Sequence, residues 1–234
     1  RHPMQRQRIE LAPAYVLHAR PFGDTSLLLE IFTASHGRVG LIAKGARAPK
    51  SRKRVLLQML QPLFVSWRDS GELGTLTAVE SAAAAVSLSG EPLFCAWYAN
   101  ELLLKLCTRH QPHPLLFAAY AQLLLRLAND AEAALRTFER VLLDELGYGL
   151  ELPESLLPAE TYHYLPSQGF RPAAHSDDAE DCYGGAALMA LRDDALSEAD
   201  HYRAARRLMR SALSPLLAGR TLESAALLRQ LKAL

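Results

Sequence analysis

Along the first 80 residues, apolar and polar positions alternate in short runs separated by turn residues. "AYVLHAR" (14–20) sets Tyr15, Leu17 and Ala19 against Val16, His18 and Arg20. "SLLLEIFT" (26–33) follows a turn that contains Pro21, Gly23 and Asp24. "GRVGLIAKG" (37–45) places Val39, Leu41 and Ala43 on one face, and "PLFVSWR" (62–68) and "ELGTLTAVE" (72–80) are split by "DSG". A period of two, repeated five times between turn signals, predicts five short strands in a small barrel or sandwich. A sheet of this size best removes its edges by closing on itself. An oligonucleotide-binding barrel is the first choice, although strand number alone does not separate it from an SH3-like barrel.

Beyond residue 80 the period becomes helical. "EPLFCAWYANELLLKLCTR" and "HPLLFAAYAQLLLRLAN" open on Pro92 and Pro114, both favoured in a first turn. "DAEAALRTFERVLLDELGYG" has Asp130 as N-cap and Gly147 as stop. Pro153 and Pro158 then break the pattern, and the segment to about residue 185 reads as an irregular insert. Two more helices, "SEADHYRAARRLMRSALSPLLAG" and "LESAALLRQLKAL", follow. The expected architecture is α+β and multidomain: a five-stranded barrel over 1–80, then an α-helical bundle domain over 81–234 that carries the insert at about 151–185.

Charge changes this picture. The chain of 234 residues has a formal net charge of only +1, yet residues 1–80 hold 12 Lys and Arg against 6 Asp and Glu, and residues 81–234 hold 14 against 19. Seven cations, Arg38, Lys44, Arg47, Lys50, Arg52, Lys53 and Arg54, lie in a stretch with no acidic residue between Glu30 and Asp69. Most of them fall in the long connection between the third and fourth strands. Uncompensated positive charge held together this closely points to an anionic polymer, whose phosphates it would neutralise with release of counterions. The plain alternative is a solvated loop. Tyr15, Phe22, Phe32, Phe64 and Trp67 are candidate stacking platforms for bases, set against the commoner fate of strand aromatics, which is burial.

Catalytic and metal chemistry find little footing. GxxxxGK[ST], GxSxG and HxExxH-type patterns are absent. Asp177–Asp178 and Asp193–Asp194 are adjacent pairs that do not face each other on a helix. His163, His175 and Cys182 match no tight chelate spacing, so neither metal nor cofactor is expected. Three widely spaced cysteines fit a reducing cytoplasm better than a disulfide framework. No apolar run reaches the roughly 18–20 residues of a membrane span. The basic N-terminus lacks an apolar core and is not read as a secretory signal.

The segment "AYVLHARPFGDTSLLLEIFTASHGRVGLIAKGAR" resembles the start of the RecO family of bacterial recombination mediators. The resemblance rests on Arg20, Pro21, Asp24, Thr25 and Ser26; on Phe32, Thr33, Gly37 and Arg38; and on Ala43, Lys44, Gly45, Ala46 and Arg47. "NELLLKL", "ALRTFERVLLDELGYG" and "RAARRLMRSAL" extend it over residues 13–231. It implies an oligonucleotide-binding barrel followed by a helical domain, and a non-enzymatic, cytoplasmic and nucleoid-associated protein without membrane contact. It also implies binding and annealing of single- and double-stranded DNA. The implied partners are RecR, RecF in some settings, and the acidic, Phe-terminated tail of single-strand-binding protein, on whose coated DNA RecA is loaded. Arg136 and Leu146 match the family's tail pocket, with Arg203, Arg206, Arg207 and Arg210 as further rim candidates; the alternative for the helix 203–210 is a solvated stripe. Many members carry four cysteines as a zinc module in the insert. Here only Cys182 is present, so the resemblance implies a branch without the metal, in which "TYHYLPSQGFRP" keeps the hairpin shape. Two rival readings are an RNA-binding or ribosome-associated factor, and a metal-dependent nuclease using Asp24, Asp69 or the insert carboxylates.

Overall fold

The computed structural model describes residues 7–232. Five strands, β1 (Arg8–Phe22), β2 (Ser26–Thr33), β3 (Gly37–Ala43), β4 (Leu63–Arg68) and β5 (Leu73–Ser81), close into a barrel in the order β1-β2-β3-β5-β4. The β3–β5 contact is parallel and the other pairings are antiparallel. This is the expected oligonucleotide-binding topology. Closure depends on β1, which starts well before the predicted Ala14. Its first half pairs with β4 and its second half with β2. The strand turns this corner through a register shift near Leu11, which adopts φ +50°. Polar residues and Pro13 mask that first half in the hydrophobic pattern.

Alternation on β1 and β2 serves two cores. Val16, Leu29 and Ile31 point into the barrel with Val39, Leu41, Val65 and Trp67. Tyr15, Leu17 and Phe32 point outward and are covered by helices α2 (Gly90–Leu106) and α3 (Pro114–Arg126), where Tyr15 and Phe32 meet the rings of Phe117 and Tyr120. Tyr120 donates from its hydroxyl to Asn100 Oδ1 at 2.5 Å, and Asn100 Nδ2 donates to the Leu17 carbonyl at 3.3 Å. The seam between barrel and helices is therefore part of the hydrophobic core.

A charged cluster closes the same seam. Glu30 on β2 accepts from Arg38 on β3 at 2.8 Å and also pairs with Arg109 from the α2–α3 connection. Arg38 Nε donates to the Cys107 carbonyl at 3.0 Å, and the His110 N–H donates to the Arg38 carbonyl at 2.8 Å. The backbones come so close that a Cβ at Gly37, which has φ +67°, would lie 2.1 Å from the Gln111 carbonyl oxygen.

The bundle continues with α4 (Ala131–Glu145), whose first turn is capped by the Asp130 carboxylate accepting from Ala133 N–H at 3.1 Å. Then come α5 (Gly185–Arg192), α6 (Ala199–Leu217) and α7 (Glu223–Lys232), with the short α1 (Lys53–Leu56) lying earlier, in the barrel's long connection. The insert read as irregular holds a small antiparallel sheet: a hairpin of β6 (Thr161–Leu165) and β7 (Gly169–Pro172), with β8 (Cys182–Gly184) on the other side of β6. Its strands are three to five residues long, too short to impose a visible period. Arg171 grips Asp177 with two bonds of 2.6 and 2.7 Å, and Arg207 of α6 lies over the Tyr183 ring while donating to the Cys182 carbonyl at 2.5 Å. Helix α5 is absent from the expected elements because it is eight residues long and starts on Gly185.

Candidate nucleic-acid interface and helical-domain cavity

The seven cations of the basic stretch divide into two groups. Arg38 belongs to the seam cluster described above. Arg47 is also engaged: Nε donates to the Ser26 carbonyl at 2.9 Å, and one terminal nitrogen donates to the Gly23 and Asp24 carbonyls at 2.6 and 2.8 Å. Its own N–H donates to the Thr25 carbonyl at 2.8 Å. Arg47 thereby rivets the start of the long connection to the β1–β2 turn. Buried Ala46, Leu57 and Leu60 anchor the two ends of that connection in the protein. Between them Lys50, Arg52 and Arg54 are exposed and Lys53 is half-buried, while Lys44 is exposed at the end of β3. Three exposed cations and one half-buried one thus sit on a loop whose two ends are fixed, with exposed Lys44 just before it.

The aromatic candidates separate in the same way. Tyr15, Phe32 and Trp67 are 8%, 0% and 2% exposed, and so cannot stack on a base without unfolding the core. Phe64 is half-buried, and Phe22 is exposed at the end of β1. Outward-facing strand aromatics look like platforms in a sequence, but here helices α2 and α3 cover them.

A cavity of about 420 Å³ opens in the helical half, a size ordinary for a ligand pocket. Its walls are α2, α4, α6, the turn leading into α7 and the first turns of α7 itself. Leu135, Met209, Leu213, Leu217 and Leu222 make it apolar, and Arg206, Arg210, Arg220 and Arg229 supply positive charge. At its floor Arg136, 5% exposed, donates to Glu139 at 2.9 Å. Burial pushes the Glu139 carboxyl above the usual carboxylate range despite the opposing Arg136 guanidinium, and burial raises the Tyr98 phenol well up beside it. Arg136 Nε and Ser224 Oγ are buried without a hydrogen-bond partner among the described residues. At the mouth, Arg206 pairs with Glu132.

Of the six residues matched to a tail pocket, the cavity collects Arg136, Arg206 and Arg210. Leu146 caps the far end of α4, ten residues or about 15 Å along the helix from Arg136, and does not line the cavity. Arg203 is exposed and pairs with Asp200, and Arg207 serves the insert sheet. Sequence reading missed Tyr98, Glu139 and Ser224. The i, i+3 spacing of Arg136 and Glu139 was a usable signal for the buried pair, whereas nothing local marks the other two. Among the described residues no group of three or more His, Cys, Asp and Glu side chains could hold a metal ion. No helix among them is long and apolar enough to cross a membrane.

Comparison with known proteins places these features in a lineage. Residues 7–85 match the family model for the N-terminal part of recombination protein O, and residues 88–160 match that for its C-terminal part. DNA repair protein RecO of Methylococcus capsulatus is 43% identical over 230 residues, covering 95% of this chain and 94% of the relative. Its namesake in Dechloromonas aromatica is 40% identical over 239 residues, covering 98% and 99%. That of Coxiella burnetii is 39% identical over 231 residues, covering 95% and 99%. With both parts of the family matched in order and relatives aligned almost end to end, the chain belongs to the RecO family of DNA repair proteins.

Proposed function

We propose that this protein is a non-enzymatic recombination mediator, cytoplasmic and nucleoid-associated, that binds single- and double-stranded DNA and anneals complementary strands. In this reading it acts with RecR, and with RecF in some settings, to help load RecA onto DNA coated by single-strand-binding protein. The observation that carries the reading is the set of cations, Lys44, Lys50, Arg52, Lys53 and Arg54, on and just before a loop fixed at both ends on a barrel of oligonucleotide-binding topology. Two strands approaching each other repel through their phosphates. Cations on a fixed loop neutralise part of that charge on both and lower the barrier to pairing. Because both are held by protein groups, Arg38 serves the seam between barrel and helices and Arg47 shapes the loop, more than either meets phosphate.

The second element of the reading is the helical cavity as receptor for the acidic, Phe-terminated tail. An apolar interior takes the aromatic side chain, and Arg136, Arg206 and Arg210 receive carboxylates. Holding the tail tethers the mediator to coated DNA and raises its effective concentration there. Replacing Lys50, Arg52, Lys53 and Arg54 together by Ala is expected to weaken single-stranded DNA binding. The slope of log affinity against log salt should become shallower by about 0.7 for each phosphate that is no longer neutralised. Fluorescence anisotropy across a salt series measures this. An unchanged slope removes the loop from the interface, and preference for an RNA competitor favours an RNA-binding role.

A further inference from the structure

The floor of the cavity holds a charge pair that is only half closed. Arg136 and Glu139, both on α4, are joined by a single bond, from a terminal guanidinium nitrogen to Glu139 Oε1 at 2.9 Å. Glu139 is 0% exposed and Arg136 5%. Glu139 Oε2 and Arg136 Nε have no hydrogen-bond partner among the described residues. Both side chains line the cavity. Groups from every wall face them. Tyr98 of α2 sets its hydroxyl against the Glu139 carboxyl, Glu132 adds negative charge from the start of α4, and Arg210 of α6 acts on the Tyr98 phenol. Glu91 and Cys95 of α2, Arg206 of α6, Arg220 of the turn and Arg229 of α7 complete the charged and titratable lining, and among the described residues no histidine belongs to it.

Arg136 is therefore neutralised before any ligand arrives. A ligand carboxylate brought to it is the second carboxylate on one guanidinium, in a place where water screens the repulsion poorly. Two carboxylates that share such a site do not both stay ionised, and one takes a proton. Acidity decides which. A peptide's terminal carboxyl is the stronger acid, with an intrinsic value of roughly 3.5 against roughly 4.3 for a glutamate, and burial already moves Glu139 towards its neutral form. The proton goes to Glu139. Its Oε2 has no partner to lose, the Tyr98 hydroxyl can rotate to accept from the new O–H, and Oε1 goes on accepting from Arg136. The pair at the mouth differs: the side chains of Arg206 and Glu132 are 43% and 25% exposed, so solvent absorbs the charge of an added carboxylate there.

We infer that Glu139 is the cavity's internal competitor for Arg136 and yields to a ligand carboxylate by taking up one proton from solvent, so that an acidic peptide and a proton bind together. The inference rests on the reading of this cavity as the tail receptor, and it adds which charge is removed when the ligand reaches the floor. A ligand carboxylate beside Arg136 raises the proton affinity of Glu139. The linked part of the binding is therefore complete below the pH at which Glu139 titrates in the free protein, and is lost as pH rises through its titration in the complex.

The test uses the full chain and a synthetic acidic peptide that ends in phenylalanine with a free carboxylate. Titration calorimetry in buffers of different ionisation enthalpy counts the protons taken up, from about pH 5.5 to about 8.5, for wild type, Glu139→Gln and Glu132→Gln. Wild type is expected to take up as much as about one proton per peptide and to lose affinity by up to about tenfold per pH unit as pH rises through the linked range. Glu139→Gln is expected to take up none and to hold a flat affinity that exceeds wild type at the alkaline end. Glu132→Gln is expected to keep the uptake. With peptide isotope-labelled in its carboxyl groups, the infrared difference spectrum of wild type is expected to gain the C=O band of an unlabelled carboxylic acid on binding. Peptide binding without proton uptake, or uptake that persists in Glu139→Gln, overturns the inference while leaving the receptor intact. Should Glu139→Gln not fold, absence of the infrared band in wild type does the same. Absence of peptide binding in wild type, with DNA binding retained, overturns the receptor reading and this inference with it.

Discussion

A charged side chain in this protein takes its meaning from what lies across the fold from it. Arg38 and Arg47 stand in the same basic stretch as Arg52 and Arg54, and no local feature separates them. Arg38 is consumed by Glu30 and the Cys107 carbonyl, and Arg47 by three carbonyls of the β1–β2 turn. Carbonyl partners carry no signature in a sequence, so the stretch was legible as basic and its division was not. Arg47→Lys tests the division. A lysine offers one compact ammonium in place of a planar fork and cannot span the Ser26 and Gly23 carbonyls together. The expected result is a destabilisation of about 1 kcal/mol and faster tryptic cleavage at Lys50–Arg54, with the salt slope of DNA binding unchanged. A reduced slope would mean that Arg47 meets phosphate directly.

At the scale of elements, alternation identified the barrel strands because each has one face turned to a uniform interior. It was less informative for β1, which changes partners midway, and for the insert strands, which are too short for two full periods. The same alternation on β1 and β2 left their outward aromatics ambiguous, since a strand face covered by a helix and one open to a ligand look alike. Prolines near their starts marked α2 and α3 and the Asp130 cap marked α4, α6 was legible by its period alone, and the short α5 offered no such signal. The β2–β3 turn shows how an element can be constrained from outside itself. Gly37→Ala adds a strained positive φ and places a methyl against the Gln111 carbonyl. It is expected to cost at least about 2 kcal/mol, lowering Tm by about 4–8 °C for a chain of this size. Calorimetry measures this, and a drop smaller than about 2 °C would show that the α2–α3 connection yields easily.

For the whole molecule, the core cluster that includes Tyr15, Leu17 and Phe32 of the barrel also includes Leu103, Tyr120 and Phe138 of the helices. Two domains joined only by a linker melt separately, whereas domains that share a core lose it together. Heating is expected to give one transition seen alike by far-ultraviolet and aromatic circular dichroism. Tyr120→Phe, which strips Asn100 Oδ1 of its donor, is expected to destabilise the protein in that single transition by about 1–3 kcal/mol. Two resolved transitions, with only the helical one shifted, would contradict this. Composition alone divides the chain by charge into a basic and an acidic half, but it carries no hint that the halves fuse through buried aromatics.

The seam tied by Glu30, Arg38 and Arg109 has a mechanical corollary. It makes the protein a strut of fixed length: the cation loop and the helical cavity cannot drift apart or together to suit a ligand. A partner engaged at both ends must therefore bring its own slack. In the proposed complex with coated DNA, the reach of the partner's flexible tether, and not any bending of this chain, would set how far from the tail a strand can be gripped.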